Sequence, residues 1–385
     1  MSRTIVGITG IRSEYDILYE PYRAISNHQE LDLKIIVSGA HLSDSFGYTV
    51  KEIEADGFEI ADRIQSLLDT DSRSGRIKSA AVQLQGLIQT LERVKPDFIL
   101  VAGDREEVVV AALAGVYMEI PVAHLAGGDF GGKHVDDLVR DATTKLAHIH
   151  FPATEEHAKR IMSMKEEPWR IHCIGAPALD RFSHVEELSR KELGNRLDFD
   201  MTSGPVLLLI QHVLPAEWEE AEAQMRITMN AIAELGIKTL ISYPNTDAGG
   251  REIIKVIDEF APELPFVKTY KNLPRLEFVN LLRSIDVILG NSTTGIQEAP
   301  FLKLPAVNIG NRQRERQHGN NVIFVPNDVD AIKSAINTAL YDEDFKKKVE
   351  QGPSPFGDGH ASEKIAEILA NVSINKDLIY KKIVY

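Results

Sequence analysis

Short apolar segments alternate with longer amphipathic segments along the chain, and this rhythm limits the fold more than any other feature of the sequence. In the first half the apolar segments are RTIVGIT at 3–9, LDLKIIVSG at 31–39, PDFILVAG at 96–103 and IPVAHLAG at 120–127. Between them, the periodicity predicts helices over residues 14–27 and 105–119. Strands that alternate with helices in this way form βαβ units around a parallel sheet, so we expect an α/β fold.

The same rhythm begins again after a polar stretch at 183–204. Strands are expected at PVLLLIQH, IKTLISY, DVILG and PAVNIG, and a long helix over 217–236 that ends at Gly236. A chain of 385 residues is too long for one ordinary core. We therefore expect a first domain over 1–185, a second over 186–365, and a helix or tail over 366–385 that packs back on the first domain.

The charge and cysteine content exclude several classes of protein. A net charge of −14 argues against partners such as nucleic acid or an anionic membrane, which select basic surfaces. The single cysteine, Cys173, cannot form an internal disulfide and fits a reducing compartment. The first residues lack the apolar core of a signal peptide, and no apolar run approaches the roughly 20 residues that span a bilayer. These features predict a cytoplasmic protein.

Polar residues are concentrated in the loops that follow the predicted strands. In open parallel sheets, ligands bind beyond the carboxyl ends of the strands, so these loops are the candidate site. The loops are TGIRSEYD, SGAHLSDSFG, AGDREE, HLAGGDFGGKHVDD, QHVLPAE, SYPNTDAGG, GNSTTGIQE and NIGNRQRERQHGNN. They are rich in Gly, Asp, Arg, Asn, Ser and His, as expected of a site that binds a charged small molecule.

Two of these loops have the composition of anion-binding turns. GITGIRSEYD places Arg12 at a helix start, and GNSTTGIQEAP brings Ser292 and Thr293 to another. Each also has a structural explanation, as a solvated arginine in the first case and as ordinary helix capping in the second. Neither is a G-x-G-x-x-G or G-x-x-x-x-G-K-[ST] motif, so a dinucleotide fingerprint and a Walker-type ATPase are excluded.

The acids and histidines at the strand ends leave two explanations open. Asp104 and Arg105 in AGDREE suit either an ion pair that caps a helix or a proton-transfer site. His41, His124 and His212 each lie in or just after a predicted strand, where a lone histidine serves either catalysis or local structure. The segment from His124 to Phe151 holds four glycines and four aspartates, which is typical of an active-site loop.

Taken together and in this order, the loops from GIRSEYD to FGDGHA resemble those of the hydrolysing UDP-N-acetylglucosamine 2-epimerases of sialic and legionaminic acid biosynthesis. The most specific stretches are GDR at 103–105, VDDLVRDATTKLAHIHF, YPNTDAGG at 243–250 and the segment at 290–313. The resemblance implies a GT-B fold, in which a cleft separates two Rossmann-like parallel-sheet domains. It also implies a UDP-sugar substrate, no metal or other cofactor, and a homodimer or homotetramer.

The resemblance further implies which residues act. Those matched to catalysis are Asp104, Asp129, Asp136, His212 and His41. Those matched to UDP-sugar binding are Arg12, Asp16, Arg105, Asn245, Ser292, Thr293, Glu298 and Arg312. Glu298 would hold the ribose hydroxyls, and Ser292 and Thr293 the diphosphate. In the family reaction the sugar loses its C2 proton, UDP leaves to give a glycal, and water adds to release a free 2-acetamido sugar.

One departure from the family pattern affects the substrate. Many relatives carry an acid or histidine two residues after the first histidine of HLAGGD, where this chain has Ala126. Either Asp129 or Asp104 takes over that proton transfer, or the small residue makes room for a bulkier sugar such as a 2,4-diacetamido-trideoxy hexose. UDP-N-acetylglucosamine is the first expectation and the bulkier sugar the alternative. A GT-B glycosyltransferase and a non-catalytic UDP-sugar sensor are the rival functions.

Overall fold

A computed structural model of the protein describes residues 2–68, 73–130, 135–244 and 250–382. The chain forms two compact units. Unit 1 comprises Met1–Asp180 together with Gly357–Tyr385, and unit 2 comprises Arg181–Phe356. The chain therefore leaves unit 1 after residue 180 and returns to it at residue 357.

Unit 1 is built on a six-stranded parallel sheet of order β3-β2-β1-β4-β5-β6. Its strands are β1 (Arg3–Thr9), β2 (Leu31–Ser38), β3 (Ile60–Ile64), β4 (Phe98–Ala102), β5 (Val122–Leu125) and β6 (Ile149–Phe151). The four predicted strands are all present. Strands β3 and β6 were not predicted, because β3 is half-exposed at the sheet edge and β6 has only three residues, so neither presents a long apolar run.

Helices cover both faces of this sheet. They are α1 (Arg12–Asn27), α2 (Val50–Ala55), α3 (Arg73–Val94), α4 (Glu106–Tyr117), α5 (Val135–Leu146), α6 (Glu155–Ser163), α15 (Ala361–Asn371) and α16 (Lys376–Ile379). Helices α1 and α15 pack together over one face. Helices α3 and α4 cover the other face, and α5 lies beside α4. Among the described residues, no helix combines the length and apolar character that crossing a membrane requires.

Unit 2 repeats this architecture with a sheet of order β12-β11-β10-β7-β8-β9, again parallel throughout. Its strands are β7 (Val206–Ile210), β8 (Lys238–Ser242), β9 (Val267–Tyr270), β10 (Val287–Gly290), β11 (Ala306–Ile309) and β12 (Val322–Val325). Its helices are α7 (Arg181–His184), α8 (Arg190–Leu197), α9 (Ala221–Leu235), α10 (Gly250–Phe260), α11 (Arg275–Ser284), α12 (Thr294–Gln297), α13 (Val329–Tyr341) and α14 (Glu343–Gln351).

All three predicted helices differ from the structure at their ends, and the one expected over 105–119 spans Glu106–Tyr117. The first begins at Arg12, two residues before the expected start. The long helix expected over 217–236 is divided, because a 3₁₀ segment over Pro215–Glu220 precedes α9 and Glu217 has non-helical backbone angles. The expected stop is confirmed, since Gly236 takes a left-handed φ of 62° after the last turn.

Candidate active site

Asp104 follows β4 at the carboxyl edge of the unit 1 sheet, where the sequence predicted a proton-transfer group. Its carboxylate forms a short ion pair with Arg140 of α5. Burial raises the pKa of Asp104, Arg140 opposes this effect, and the carboxylates of Asp136 and Asp129 raise the pKa further. A carboxylate with a raised pKa is a better proton acceptor at neutral pH, so the environment of Asp104 suits a general base.

Arg140 is the centre of this carboxylate cluster, and the sequence analysis did not identify it. Its guanidinium also donates to Asp137 Oδ1 at 3.2 Å and to the Asp129 carbonyl at 2.9 Å. Asp136, in the first turn of α5, is 47% exposed and lies 3.8 Å from Arg76. The structure therefore brings Asp104 and the Asp129 backbone, both predicted to be catalytic, into contact with one arginine. Asp136, the third predicted acid, lies beside Arg76 but is near enough to Asp104 to raise its pKa. The VDDLVR sequence, which puts Arg140 one helical turn after Asp136 and Asp137, is the pattern that could have identified Arg140 as the partner of Asp137.

Arg105 does not pair with its neighbour Asp104. It immediately precedes α4, and its guanidinium lies 3.2 Å from the Glu107 carboxylate and 3.7 Å from that of Glu106. Beneath it, the buried carboxyls of Glu14 and Glu107 form a second acidic pair that the sequence analysis missed. Burial, followed by the Glu107 carboxylate, raises the pKa of Glu14 to about 8. A buried acid with a pKa well above its ordinary value therefore lies close to the arginine predicted to bind the substrate.

His41 and His124 are fully buried, and hydrogen bonds occupy both ring nitrogens of each. The His41 ring lies 3.0 Å from the Thr9 hydroxyl and 2.7 Å from the Thr49 hydroxyl, and burial lowers its pKa to about 4. His124 donates from Nε2 to the Gly103 carbonyl at 2.8 Å, and its Nδ1 lies 3.4 Å from the Thr144 hydroxyl. His124 thus links the ends of β4 and β5 to α5. The catalytic role of His41 stays a prediction.

The remaining predicted binding residues of unit 1 lie on the first two turns of α1. Arg12 is half-buried, with its Nε 3.5 Å from a carboxylate oxygen of Glu52. Asp16 is exposed one turn further along the helix. Both lie at the amino-terminal end of α1, where free backbone amides and the helix dipole favour an anion. Their roles in binding the substrate stay predictions.

The loop after β5 is held tightly against protein. Ala126 adopts a left-handed φ of 61°, which is uncommon for a residue with a Cβ atom. Gly128 has a φ of 75°, and a Cβ atom there would lie 2.3 Å from the His157 carbonyl oxygen. We expected glycines 127 and 128 to let backbone approach the sugar, but the close approach at Gly128 is to α6. Glycines 131 and 132 lie outside the described residues.

In unit 2, Asn291 is the centre of the polar network at the end of β10. Its side chain accepts a hydrogen bond from the His212 amide at 2.7 Å and donates to the His212 carbonyl at 2.9 Å. Its own carbonyl accepts from Arg312 at 2.8 Å and from Gln313 at 2.9 Å. The preceding Gly290 has a φ of 112°, and a Cβ atom there would lie 2.1 Å from the Ile210 carbonyl oxygen. Asn291 therefore gathers His212 and Arg312 to one sheet edge.

Ser292 and Thr293 follow Asn291 and are half-buried. The Ser292 hydroxyl accepts from the Thr294 amide at 3.3 Å, and Arg316 donates to the Thr293 hydroxyl at 3.2 Å. Helix α12 is a single turn that begins at Thr294, so the expected helix start is present but short. Two hydroxyls and the Arg316 guanidinium are suitable ligands for a diphosphate.

Glu298 immediately follows α12 and is almost fully buried. Its Oε1 accepts from Arg181 at 2.6 Å. Burial raises the pKa of Glu298, against the opposing charge of Arg181. A carboxylate accepts up to about four hydrogen bonds, so this ion pair is compatible with the predicted bonds to a ribose diol. Arg181, which the sequence analysis missed, sets the orientation of the carboxylate.

Asn245, predicted to bind the substrate, lies outside the described residues. Among the residues with described positions, no group of three His, Cys, Asp or Glu side chains could hold a metal ion. A surface groove of about 750 Å³ beside α5 is lined by Asp129 and Asp137 together with Phe130, Leu138 and Met164. Asp129, which was predicted to be catalytic, and Asp137, the neighbour of Asp136, thus lie next to apolar side chains.

The order of these loops on two parallel sheets agrees with the similarity of the chain to known proteins. A family model described as UDP-N-acetylglucosamine 2-epimerase matches residues 23–370. The chain belongs to this family. As a member of the UDP-N-acetylglucosamine 2-epimerase family it is an enzyme, as predicted.

Two relatives of the chain carry a narrower name. The chain is 35% identical to the UDP-N,N'-diacetylbacillosamine 2-epimerase (hydrolyzing) of Legionella pneumophila over 381 residues, which cover 99% of each chain. It is 31% identical to the GDP/UDP-N,N'-diacetylbacillosamine 2-epimerase (hydrolyzing) of Campylobacter jejuni over 323 residues, 83% of this chain and 84% of that protein.

A solved member of the family establishes the fold class. The UDP-GlcNAc 2-epimerase of Neisseria meningitidis bound to UDP-GlcNAc matches 95% of this chain and 99% of its own, with a TM-score of 0.80 and 19% identity. The predicted fold, two Rossmann-like parallel-sheet domains of the GT-B class, is confirmed. The predicted family is confirmed as well.

Proposed function

We propose that the protein is a hydrolysing 2-epimerase of a UDP-2,4-diacetamido-trideoxy hexose, the class to which UDP-N,N'-diacetylbacillosamine belongs. The observation that carries this proposal is the 35% identity, over 99% of each chain, to the Legionella pneumophila enzyme named for that substrate. The reaction consumes one water and releases UDP and a free 2,4-diacetamido sugar with inverted C2. Such a product suits the biosynthesis of legionaminic acid or a related nonulosonic acid.

The proposed chemistry assigns proton transfer to the cluster around Arg140. The Asp104 carboxylate, whose pKa is raised by burial, takes the C2 proton, and the electron pair forms the C1–C2 double bond as UDP departs. Water then adds to the glycal, with its hydroxyl at C1 and a proton at the opposite face of C2. Asp129, whose carbonyl accepts from Arg140, and Asp136, which lies beside Arg76, are the proposed proton donors for this second step.

Departure of UDP requires positive charge and hydrogen-bond donors at the phosphates. In unit 2 we assign this role to Ser292, Thr293 and Arg312 at the ends of β10 and β11, with Glu298 on the ribose. In unit 1 we assign it to Arg12 and Arg105. Preorganised donors of this kind are typically worth factors of about 10²–10³ each. His41 and His212 are retained as proposed catalytic residues, and Asp16 and Asn245 as proposed substrate contacts.

Ala126 supports the bulkier substrate. Where many relatives place an acid, this chain has a methyl group on a loop whose backbone is fixed by the left-handed φ of Ala126. A small side chain leaves space for a C4 acetamido group. The competing substrate, UDP-N-acetylglucosamine, is favoured by the name of the family and by the solved Neisseria meningitidis relative.

The deciding experiment compares kcat/KM for the two UDP-sugars in the native protein and in Ala126→Glu. We expect the native protein to prefer the 2,4-diacetamido sugar by roughly ten- to thirtyfold, because a hydrogen bond and an apolar contact are each worth about 1 kcal/mol. Ala126→Glu should reduce that preference. Equal or better use of UDP-N-acetylglucosamine by the native protein would contradict the proposed substrate.

The same assay separates the rival functions. Release of UDP and a deuterium-labelled free sugar in heavy water, without an acceptor, is expected only of a hydrolysing epimerase. Asp104→Asn, which cannot take the proton, provides the inactive control. A glycosyltransferase would need an acceptor, and a UDP-sugar sensor would bind the nucleotide sugar without turnover.

A further inference from the structure

The C-terminal segment, residues 375–382, is fastened to unit 1 by groups that the proposed mechanism does not use. Arg170 is fully buried and donates to the carbonyls of Asp377 and Leu378. His148 donates from Nε2 to the Ile379 carbonyl at 3.2 Å. The last carbonyls of the short helix α16 find no N–H donor within the helix, so the Arg170 and His148 side chains satisfy them. The segment is thereby fixed beside β6.

Lys381, at the end of this segment, reaches the last turn of α5. Its ammonium donates to the carbonyls of Lys145 at 2.9 Å and Ala147 at 2.6 Å, and lies 3.4 Å from that of Thr144. It also lies 2.6 Å from Oε2 of the buried Glu166. The carboxyl end of a helix carries unpaired carbonyls and partial negative charge, and a cation there stabilises it. Lys381 is therefore a capping cation supplied from 234 residues away in sequence.

Helix α5 depends on such polar contacts because it buries little apolar surface. Its buried residues are Arg140, Thr143 and Thr144, whereas Val135 and Leu138 are 59% and 72% exposed. Isolated helices of about 12 residues are marginal in water, so tertiary contacts must hold this one in place. Because an α-helix has a regular geometry with a rise of 1.5 Å per residue, the position of its last turn determines the position of its first turn.

The first turn of α5 carries the acids of the proposed chemistry. Asp136 and Asp137 lie there, and Arg140 follows one turn later in its ion pair with Asp104. We propose that Lys381 is a positioning residue, which holds α5 by its carboxyl end so that Asp136 and Arg140 keep their places around Asp104. This inference rests on the proposed function.

The test compares Lys381→Met, which keeps the length of the side chain and removes its charge, with Lys382→Met as the matched control. Lys381→Met should lower kcat on the UDP-sugar roughly tenfold to hundredfold, because small misplacements of catalytic groups have effects of that size. UDP affinity should stay unchanged, since none of the residues assigned to UDP, in either unit, lies on α5. Lys381→Arg, which restores the charge, should recover turnover.

Hydrogen exchange provides a readout that does not depend on activity. Amides in the last two turns of α5 should exchange roughly tenfold faster in Lys381→Met than in Lys382→Met. If Lys381→Met does not fold, as judged by circular dichroism, Lys381→Gln replaces it. Equal kcat in the two methionine variants would overturn the proposal, as would a parallel loss of UDP affinity, which indicates general unfolding. If the native protein turns over neither UDP-sugar, the proposed function fails, and the exchange measurement alone decides whether Lys381 holds α5.

Discussion

Arg140 controls the acid–base properties of Asp104, and this control can be measured. Because the Arg140 charge lowers the pKa of Asp104 against the effect of burial, Arg140→Met should raise that pKa. A general base works only in its deprotonated form, so the acid limb of the kcat/KM profile should move to higher pH. Arg140→Lys keeps the charge and serves as the control. An acid limb that stays in place in Arg140→Met would show that Asp104 is not the group that titrates.

Glu298 is predicted to act on nucleotide binding and not on the chemical step. Glu298→Ala should weaken UDP binding by about 1.5–3 kcal/mol, the usual value of hydrogen bonds to a charged group. Isothermal titration with UDP measures this effect, and Glu315→Ala, in the exposed arginine-rich loop of the same unit, is the control. An unchanged dissociation constant would remove Glu298 from the ribose site.

At the scale of single residues, the sequence indicated most of the polar positions but not their partners. Asp104 and Glu298 were identified from their loops, whereas Arg140 and Arg181, which pair with them, were not. Each partner lies on another helix, 36 and 117 positions away, and no local pattern encodes such a distance. For Arg105 the sequence suggested the wrong partner. Asp104 is adjacent in the sequence, but the structure pairs Arg105 with Glu107.

At the scale of elements, strands that form long apolar runs were predictable and short or edge strands were not. Strands β1 and β7, buried along most of their length, gave clear signals. Strand β3 is half-exposed, so its composition is close to that of a loop. The division before α9 depends on the non-helical angles of Glu217, which the amphipathic pattern does not reveal. The hydrophobic periodicity of the sequence thus predicts which elements are buried more reliably than it predicts where helices and strands begin and end.

The polar group that ties β6, α5 and the C-terminal segment together is Glu166. Burial alone would raise the pKa of this carboxyl, but hydrogen bonds from His150, Lys145 and Lys381 lower it to about 2. A carboxyl group whose pKa is lowered on folding stabilises the fold at pH values above its ordinary pKa near 4.5. That contribution is lost as the pH falls towards 2. Glu166→Gln should therefore reduce the stability of unit 1 at pH 7 by about 3 kcal/mol, because it leaves the largely buried Lys381 ammonium without its carboxylate.

The difference in unfolding free energy between the native protein and Glu166→Gln should be constant from pH 7 to 5 and shrink below about pH 4.5. Urea unfolding followed by tryptophan fluorescence measures it. The two tryptophans lie in different units, Trp169 in unit 1 and Trp218 in unit 2. Both proteins are therefore studied in a Trp218→Phe background, which reports unit 1 alone. A difference that grows in acid would contradict the assigned direction of the pKa shift.

At the scale of the whole molecule, we expect copies of the chain to associate through α3, α4 and α5 of unit 1. These neighbouring helices expose Ile77, Tyr117 and Leu138 by 67%, 83% and 72%. Exposed apolar groups of this kind are typical of protein interfaces. Tyr117→Glu combined with Leu138→Glu should convert a dimer or tetramer to a monomer in light scattering. Tyr341→Glu, at a position of unit 2 that is 62% exposed, should leave the mass unchanged, and a monomeric native protein would refute the expectation.

The return of residues 357–385 to unit 1 has a consequence for the order in which the protein matures on the ribosome. Domains usually fold in the order in which they are synthesised. Here the first 180 residues emerge early but lack α15, which covers one face of their sheet, and Lys381, which caps α5. Unit 2 is continuous in sequence and is complete before unit 1 is. Unit 2 can therefore reach its native state first, and the acids of α5 are set in place only after residues 357–385 have also been synthesised.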